Sequence, residues 1–473
     1  MDRNPSPPPS DESDSETTGD DAIGNTVYSK HWLFGTLMEL IKFVSIEGEE
    51  AEVLKTETQL DEDLENEICK VWDMSMDEDV ALFLQEFNVT NILLGIIGKS
   101  KCPRLTEICV GILGNMACYK ETCQSITNND NLVEVLLLLL GDSDPPTLLE
   151  TSRLILTCLS QPDVATIWAD QIHKKPAVRD HVCFIMQSST NTDLLGKIGE
   201  MIDKLFDLDK ELMLSWIRES KKLPGAPETE HEKTTDILLV PCLLEAAKQV
   251  RSNSVEVLEI YVHILQLLTT VDEGIQAIVK TPDKGEATWT LLYDIVCTDL
   301  CQDDDPSIFI EEQASVLSSA LAILSAIFAS HVEKYSEIEQ NLPLLGTLLR
   351  VLFYAEDCKK KPSEGIRRPS ADKWSVPSPA GAQKGKRQKS DLHMKILLNI
   401  SCEFLSEIFM DVSKELVSRS FKEGYLSQEM CLCAVHHLLP VYTTTVERFH
   451  DILKEVQPDT AEQLQLKFHN LRS

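Results

Sequence analysis

NLVEVLLLLLGDSDPPTLLETSRLILTCL, residues 131 to 159, decides how the rest of the chain is read. A Leu-rich run from Leu132 to Leu140 is followed by a polar turn containing Asp144-Pro145 and then by an amphipathic stretch from Thr147 to Leu159. Apolar residues at three- and four-residue spacing on both sides of a proline restart predict two helices. The most concentrated run, Val135 to Leu140, lies between Glu134 and Gly141. That is far short of the roughly 20 residues a membrane span needs, so it reads as a core helix of a soluble protein. Such a helix pair cannot bury its apolar face alone and needs a stacked neighbour.

The neighbours are visible on both sides. Asn91 to Ile97 and Leu105 to Ala117 have the same outline, and setting Glu107 on Glu150 also places Leu113 on Leu156 and Met116 on Leu159, an offset of 43. The same step reaches Asp193 and Ile202 with poorer apolar agreement between them. EICVGILGNMACYKETCQSI, 107 to 126, returns as EIYVHILQLLTTVDEGIQAI, 259 to 278, an offset of 152 that is no whole multiple of 43. Units of unequal length are therefore expected. A period of about 40 to 47 residues is that of armadillo and HEAT repeats, and residues 131 to 159 closely resemble an armadillo repeat. Residues 289 to 328, with Pro306 after three acids, show a similar outline.

Composition agrees with helix. The chain has 473 residues, 43% hydrophobic, with 19 Gly and few aromatics, which disfavours a sandwich or propeller built on glycine turns. A formal charge of −33 repels nucleic acid and anionic lipid, both of which are bound chiefly through Lys and Arg. Fourteen Cys scattered through apolar stretches read as buried free thiols in a reducing compartment, without structural disulfides. The expected architecture is an all-α, armadillo/HEAT-like helical repeat superhelix in four parts. Residues 1–26 form a disordered acidic Ser/Pro-rich tail, 27–356 the array, 357–390 a basic disordered loop, and 391–473 the C-terminal helices that cap the array. The loop holds ten Lys or Arg against three acids.

No spaced catalytic or phosphate-cradling motif is present, so an enzyme is not expected. No cofactor is expected either. Cys431, Cys433, His436 and His437 carry zinc-type donors, but residues two apart on one helix point in different directions and no second group completes a site. Cys297 and Cys301 form a similar incomplete pair, and no metal is assigned to either group. Asn115 in GILGNMA is a candidate peptide contact, because peptide-binding armadillo carriers use an Asn on a helix with a Trp four residues earlier. That earlier position here is Gly111, and one step on, Asn115 corresponds to Cys158, so helix packing is the competing assignment. Lys384, Lys386, Arg387 and Lys389 form a candidate nuclear localisation signal or a docking segment for an acidic surface. Ser370 and Ser378 follow kinase-type motifs, as does Ser13 in the acidic tail, and each is a candidate phosphorylation site.

The acidic Ser/Pro tail, YSKHWLFGTLMELIKFV (28 to 44), GILGNMACYKETCQSI (111 to 126) and the late basic insertion together resemble the serum amyloid A-like protein 1 family along essentially the whole chain. That resemblance implies an armadillo-type fold, a nuclear location and promotion of cell proliferation, notably of synovial fibroblasts responding to pro-inflammatory signals; the cytoplasm is a second expected location. The function expected is a non-enzymatic scaffold or adaptor for protein partners, including partners with basic segments, with neither nucleic acid nor membrane as a ligand. A nuclear transport or cargo-binding adaptor is the main alternative and an unrecognised enzyme the second.

Overall fold

The computed structural model describes residues 21–50, 60–218, 238–281, 283–300, 310, 312–330, 342–360, 380–439 and 441–468, with the backbone alone at 46–50, 356–360 and 380–390. The chain divides into two compact units, Met1–His181 and Val182–Ser473. The first opens with α1 (Lys30–Glu50) and α2 (Glu62–Met74). Two triplets follow, each of two short helices and one longer helix: α3 (Glu78–Glu86), α4 (Val89–Ile97) and α5 (Pro103–Met116), then α6 (Lys120–Thr127), α7 (Asp130–Leu138) and α8 (Pro145–Ser160). After α9 (Ala165–His173), the division between the units falls inside α10 (Pro176–Ser188).

In the second unit the order is α11 (Thr192–Leu208), α12 (Lys210–Ile217), α13 (Leu239–Val250), α14 (Val255–Thr269), α15 (Asp272–Val279), α16 (Glu286–Asp294) and α17 (Ala314–Ser330). It continues with α18 (Leu342–Lys360), α19 (Ala380–Asp411), α20 (Lys414–Glu423), α21 (Gln428–Leu438), α22 (Thr443–Val456) and α23 (Pro458–Lys467). Long helices pack on long ones: α2 on α5 and α5 on α8 in the first unit, and α11, α14, α17, α19 and α22 each on the next in the second. Short helices pack likewise, α3 on α6 and α4 on α7, α12 on α15 and α13 on α16. Three-helix units stacked in this way are an armadillo-type repeat fold.

Local chemistry sets where the helices start. Asp144 accepts from the Thr147 amide at 2.9 Å, with Pro145 in the first helical turn of α8. Asp77, Asn129, Asn191, Asp209 and Ser254 cap α3, α7, α11, α12 and α14 in the same manner, satisfying amides that have no partner inside the helix. Because α5 is covered by α2, α4 and α8, it is buried on every side, from Leu105 and Ile108 through Ile112, Leu113 and Met116. Apart from Arg104 and Glu107 near its start, it is the nearly all-round buried kind of helix that belongs in that position.

The repeat spacing now has a physical explanation. The long helices α5 and α14 start at Pro103 and Val255, 152 positions apart, so Glu107 and Glu259 occupy the same place in their helices. Between them lie the starts of α8 at Pro145 and α11 at Thr192. The step to Asp193 matched poorly because the span from α8 to α11 is longer than that from α5 to α8. Where the sequence suggested helix pairs, the structure has triplets.

Two expected boundaries change. Of the tail placed at 1–26, residues 1–20 lie outside the described residues, but 21–26 are built into the fold. Ile23 is 1% exposed, the Asp21 carboxylate accepts from the Ser29 hydroxyl and the His31 amide, and Asp79 accepts from the Asn25 amide at 2.9 Å. Of the loop placed at 357–390, residues 361–379 lie outside the described residues, whereas α18 runs to Lys360 and α19 starts at Ala380. The Ala, Gln, Lys and Arg of 380–389 are helix formers that continue the apolar helix behind them.

At the C-terminal end α22 packs on α23, and His450 is 2% exposed with Nε2 3.3 Å from the Ala461 carbonyl. Burial holds its pKa below the ordinary value; the Ala461 contact and Asp451 oppose that shift, and Lys454 adds to it. The unfolded chain therefore takes up this proton first. The contribution of His450 to stability is complete above about pH 6.5 and falls as pH drops from there through the lower folded pKa. In urea titrations at pH 7.5 and pH 5.5, His450→Gln is expected to lose less stability on acidification than the wild type. An equal loss contradicts this.

Candidate protein-interaction faces

In the first unit a polar ladder crosses α2, α5 and α8. Arg104 of α5 reaches Glu65 of α2 and Glu107 of its own helix, both at 2.7 Å. Burial opposes the charged guanidinium, but its hydrogen bonds to Glu107 and Glu65 outweigh that and hold the pKa above its ordinary value. Arg153 of α8 holds Glu150 at 2.6 Å and also donates to Asn115 Oδ1 at 3.2 Å and to the Gly111 carbonyl at 3.1 Å. Asn115 Nδ2 donates to the Trp72 carbonyl at 2.9 Å and the Ser75 hydroxyl at 3.2 Å.

Gly111 matters here because a Cβ on it would lie 2.2 Å from Trp72 Cε2. The indole of α2 thus rests on bare backbone of α5. The place where a carrier-type armadillo helix bears its own Trp is filled by a Trp from the preceding long helix. Asn115, 8% exposed, serves the contact between these helices, in line with the helix-packing assignment weighed against a peptide contact. Arg153→Gln should cost about 2 kcal/mol, the scale of charge-assisted hydrogen bonds lost at a half-buried site. Arg153→Lys should recover little, since an ammonium cannot reproduce the fork. Urea midpoints of the two variants check both statements.

The long-helix row of the second unit carries a different chemistry. His263 of α14 meets Asp203 of α11 at 2.6 Å, and that hydrogen bond, against burial, raises the His263 pKa. Next in the row, α17 has no charged residue, and its partly exposed positions include Ser315, Ala322, Ser325 and Ala326. Ser325 donates to Glu407 of α19 at 2.9 Å. Burial pushes the Glu407 carboxyl up, the Ser325 hydrogen bond opposes this, and Glu403 adds repulsion. On this row Glu256, Glu259, Glu403 and Glu407 form no ion pair among the described residues. In the first unit, by contrast, Glu65, Glu107 and Glu150 are each bound by an Arg.

The other sequence candidates are placed as follows. Ser13, Ser370, Ser378 and Cys301 lie outside the described residues. Lys384, Lys386, Arg387 and Lys389 sit on the first turns of α19, where the backbone alone is described. Cys431 and Cys433 are buried on α21, burial raises the Cys431 pKa, and the His436 and His437 rings lie edge to face at 5.5 Å. Among the described residues no three His, Cys, Asp or Glu side chains are grouped to hold a metal, and no single helix is long and apolar enough to cross a membrane. Trp72, Arg104, Arg153, Asp203, His263 and Glu407 were not singled out from sequence. The Arg104/Glu107 and Glu150/Arg153 spacings of three were the available signal.

The family model described as the SAAL1 C-terminal domain matches residues 178–446, which begins close to the division between the units. Protein SAAL1 of Homo sapiens is 54% identical over 480 residues, covering 100% of this chain and 99% of that one. The chain belongs to the SAAL1 family. Protein SAAL1 of Mus musculus is 53% identical over 481 residues with full coverage of both chains, and protein saal1 of Xenopus tropicalis is 50% identical over 98% of each. Among solved structures, a designed armadillo repeat protein is 13% identical and covers 62% of this SAAL1-family chain and 99% of its own, with a TM-score of 0.39. A structure from work on the interaction between cadherin and beta-catenin is 12% identical, covers 92% of this chain and 64% of its own, and has a TM-score of 0.49. The armadillo assignment rests on the helix order and packing above.

Proposed function

We propose that this SAAL1-family chain is a non-enzymatic protein-interaction scaffold acting in the nucleus to promote cell proliferation, with synovial fibroblasts under pro-inflammatory stimulation as the cell type in which the effect is largest. The observation that carries the scaffold reading is the row of stacked long helices in the second unit. Its acids Glu256, Glu259, Glu403 and Glu407 form no ion pair among the described residues, while the acids of the first unit's ladder are neutralised internally. A row whose acids are not held in ion pairs favours partners that bring Lys or Arg segments. The transport-adaptor reading loses its support at Asn115, whose amide is engaged inside the fold.

The test is rescue in stimulated fibroblasts depleted of the protein. The full chain should restore proliferation, and a folded chain carrying Glu259→Gln, Glu403→Gln and Glu407→Gln should not. Full rescue by that variant removes the role of this row; unchanged proliferation on depletion removes the cellular reading. Replacing Lys384, Lys386, Arg387 and Lys389 by Ala in a fluorescent fusion should shift the chain out of the nucleus. Unaltered nuclear accumulation contradicts the localisation signal.

A further inference from the structure

Three of the chain's cysteines meet in the second triplet. Cys118 is exposed in the turn between α5 and α6, with Sγ 3.6 Å from the Gly114 carbonyl. Cys123 of α6 and Cys158 of α8 are 1% and 0% exposed, and their sulfurs are 3.8 Å apart across a single S–H···S contact. The two thiols of this pair differ. Cys123 is held below the ordinary thiol pKa by Cys158 and then Thr127, against burial, whereas Cys158 is raised by sharing that contact and by burial. A disulfide needs a sulfur separation of about 2.05 Å, so closure requires the pair to approach by less than two ångströms. The helix carrying Cys123 is eight residues long with Lys120 and Glu121 exposed, and access of solvent to the pair requires this two-turn element to open locally.

We propose that Cys123 and Cys158 are a peroxide-responsive modification site that closes into a reversible intramolecular disulfide. The Cys123 thiolate attacks one oxygen of hydrogen peroxide and the O–O bond breaks, giving Cys123 sulfenic acid and, after proton uptake, water. The Cys158 sulfur then attacks the Cys123 sulfur, displacing hydroxide, which leaves as water with the Cys158 proton. Two thiols lose two electrons, and the peroxide is reduced to two waters. A dithiol reductant reverses the step by exchange. The bond ties the first helix of the triplet to its third across 35 positions, closing the local opening of α6 that exposes the pair. Cys118, exposed in the turn before α6, remains outside the bond.

The test treats the reduced full chain with hydrogen peroxide, alkylates remaining thiols in denaturant, and maps peptides by mass spectrometry without reduction. The expected result is a linked Cys123/Cys158 peptide as the main product, two thiols lost per chain, recovery with dithiothreitol, and slower amide exchange over 120–127 in the oxidised protein. In Cys158→Ser the link should vanish and Cys123 should be trapped by dimedone as sulfenic acid. Recovery of Cys123 and Cys158 as free thiols at peroxide levels that oxidise Cys118 overturns the proposal, as does a dominant link through Cys118. The wild-type map is decisive even where the serine variant fails to fold.

Discussion

Replacing Trp168 by Ala should destabilise the protein by about 3–5 kcal/mol, the range for removing a large aromatic side chain from a packed core. Trp168 is fully buried on α9, and its Nε1 donates to Thr127 Oγ1 at 2.9 Å. The Thr127 hydroxyl in turn donates to the Cys123 carbonyl at 2.8 Å. The indole therefore fills space beside the second triplet and anchors the end of α6. Its loss leaves a cavity and a buried hydroxyl without its donor. Trp168→Phe retains much of the volume and should cost about 1–2 kcal/mol for the lost hydrogen bond and the smaller ring. Ile167→Ala, one residue away but 42% exposed, should change stability by only about 0.5 kcal/mol. Urea midpoints for the three variants give the comparison, and amide exchange over 120–127 and 165–173 should accelerate in Trp168→Ala alone. Equal losses at Trp168 and Ile167 contradict the packing described.

Tyr261→Ala should have an effect of the same size, about 3–5 kcal/mol, in the second unit. The side chain is fully buried on α14, its hydroxyl donates to the Leu195 carbonyl at 2.7 Å, and a Cβ on Gly199 would lie 3.3 Å from the ring. Burial raises the phenol pKa, so it stays a neutral donor. Tyr261→Phe keeps the ring against α11 and should lose about 1 kcal/mol, the net value of one hydrogen bond. The larger variant also bears on the acidic row. When α14 no longer seats on α11, Asp203 and His263 separate, and the His263 pKa should fall from its raised value toward the ordinary one. In the wild type that raised pKa gives stability fully present below the unfolded pKa and lost as pH rises through the folded one. Tyr261→Phe should retain this behaviour, which NMR titration of the imidazole reads directly. An unchanged His263 titration in Tyr261→Ala means that the pair does not depend on the packing of α14.

The repeat was legible where helices are long and strongly periodic. Residues 131–159 gave α7, the turn capped by Asp144 and α8, and the echo at 152 places Glu107 and Glu259 at matching positions in α5 and α14. The first helix of the second triplet was not legible. KETCQSIT, the whole of α6, spans barely two turns and is largely polar, too short for a period to show. The start of α19 was hidden for another reason: its basic composition reads as a loop, and the helix is supported by the apolar continuation beyond Asp391. Of the polar ladder, the pairs within one helix could be read from spacing, as with Arg104 and Glu107. The contacts between helices could not. Trp72 over Gly111, Arg153 on the Gly111 carbonyl, Asp203 with His263 and Ser325 with Glu407 join residues 39 to 82 positions apart, and only the stacking order brings them together. Asn115 shows the consequence, since the residue type suggested a ligand contact and the stacking assigns it to the helix interface.

Binding of partners on the long-helix row of the second unit is tested most directly by cross-linking mass spectrometry on the full chain isolated with its bound proteins from proliferating cells, using a lysine-reactive reagent. Lys197 and Lys204 on α11 and Lys395 on α19 report on the long helices of that unit, while Lys210 on α12, Lys248 on α13 and Lys422 on α20 report on its short ones. Links to partner proteins concentrated on the first group are the predicted result. Links concentrated on the second group, with Lys197, Lys204 and Lys395 unlinked in the bound state, would contradict it.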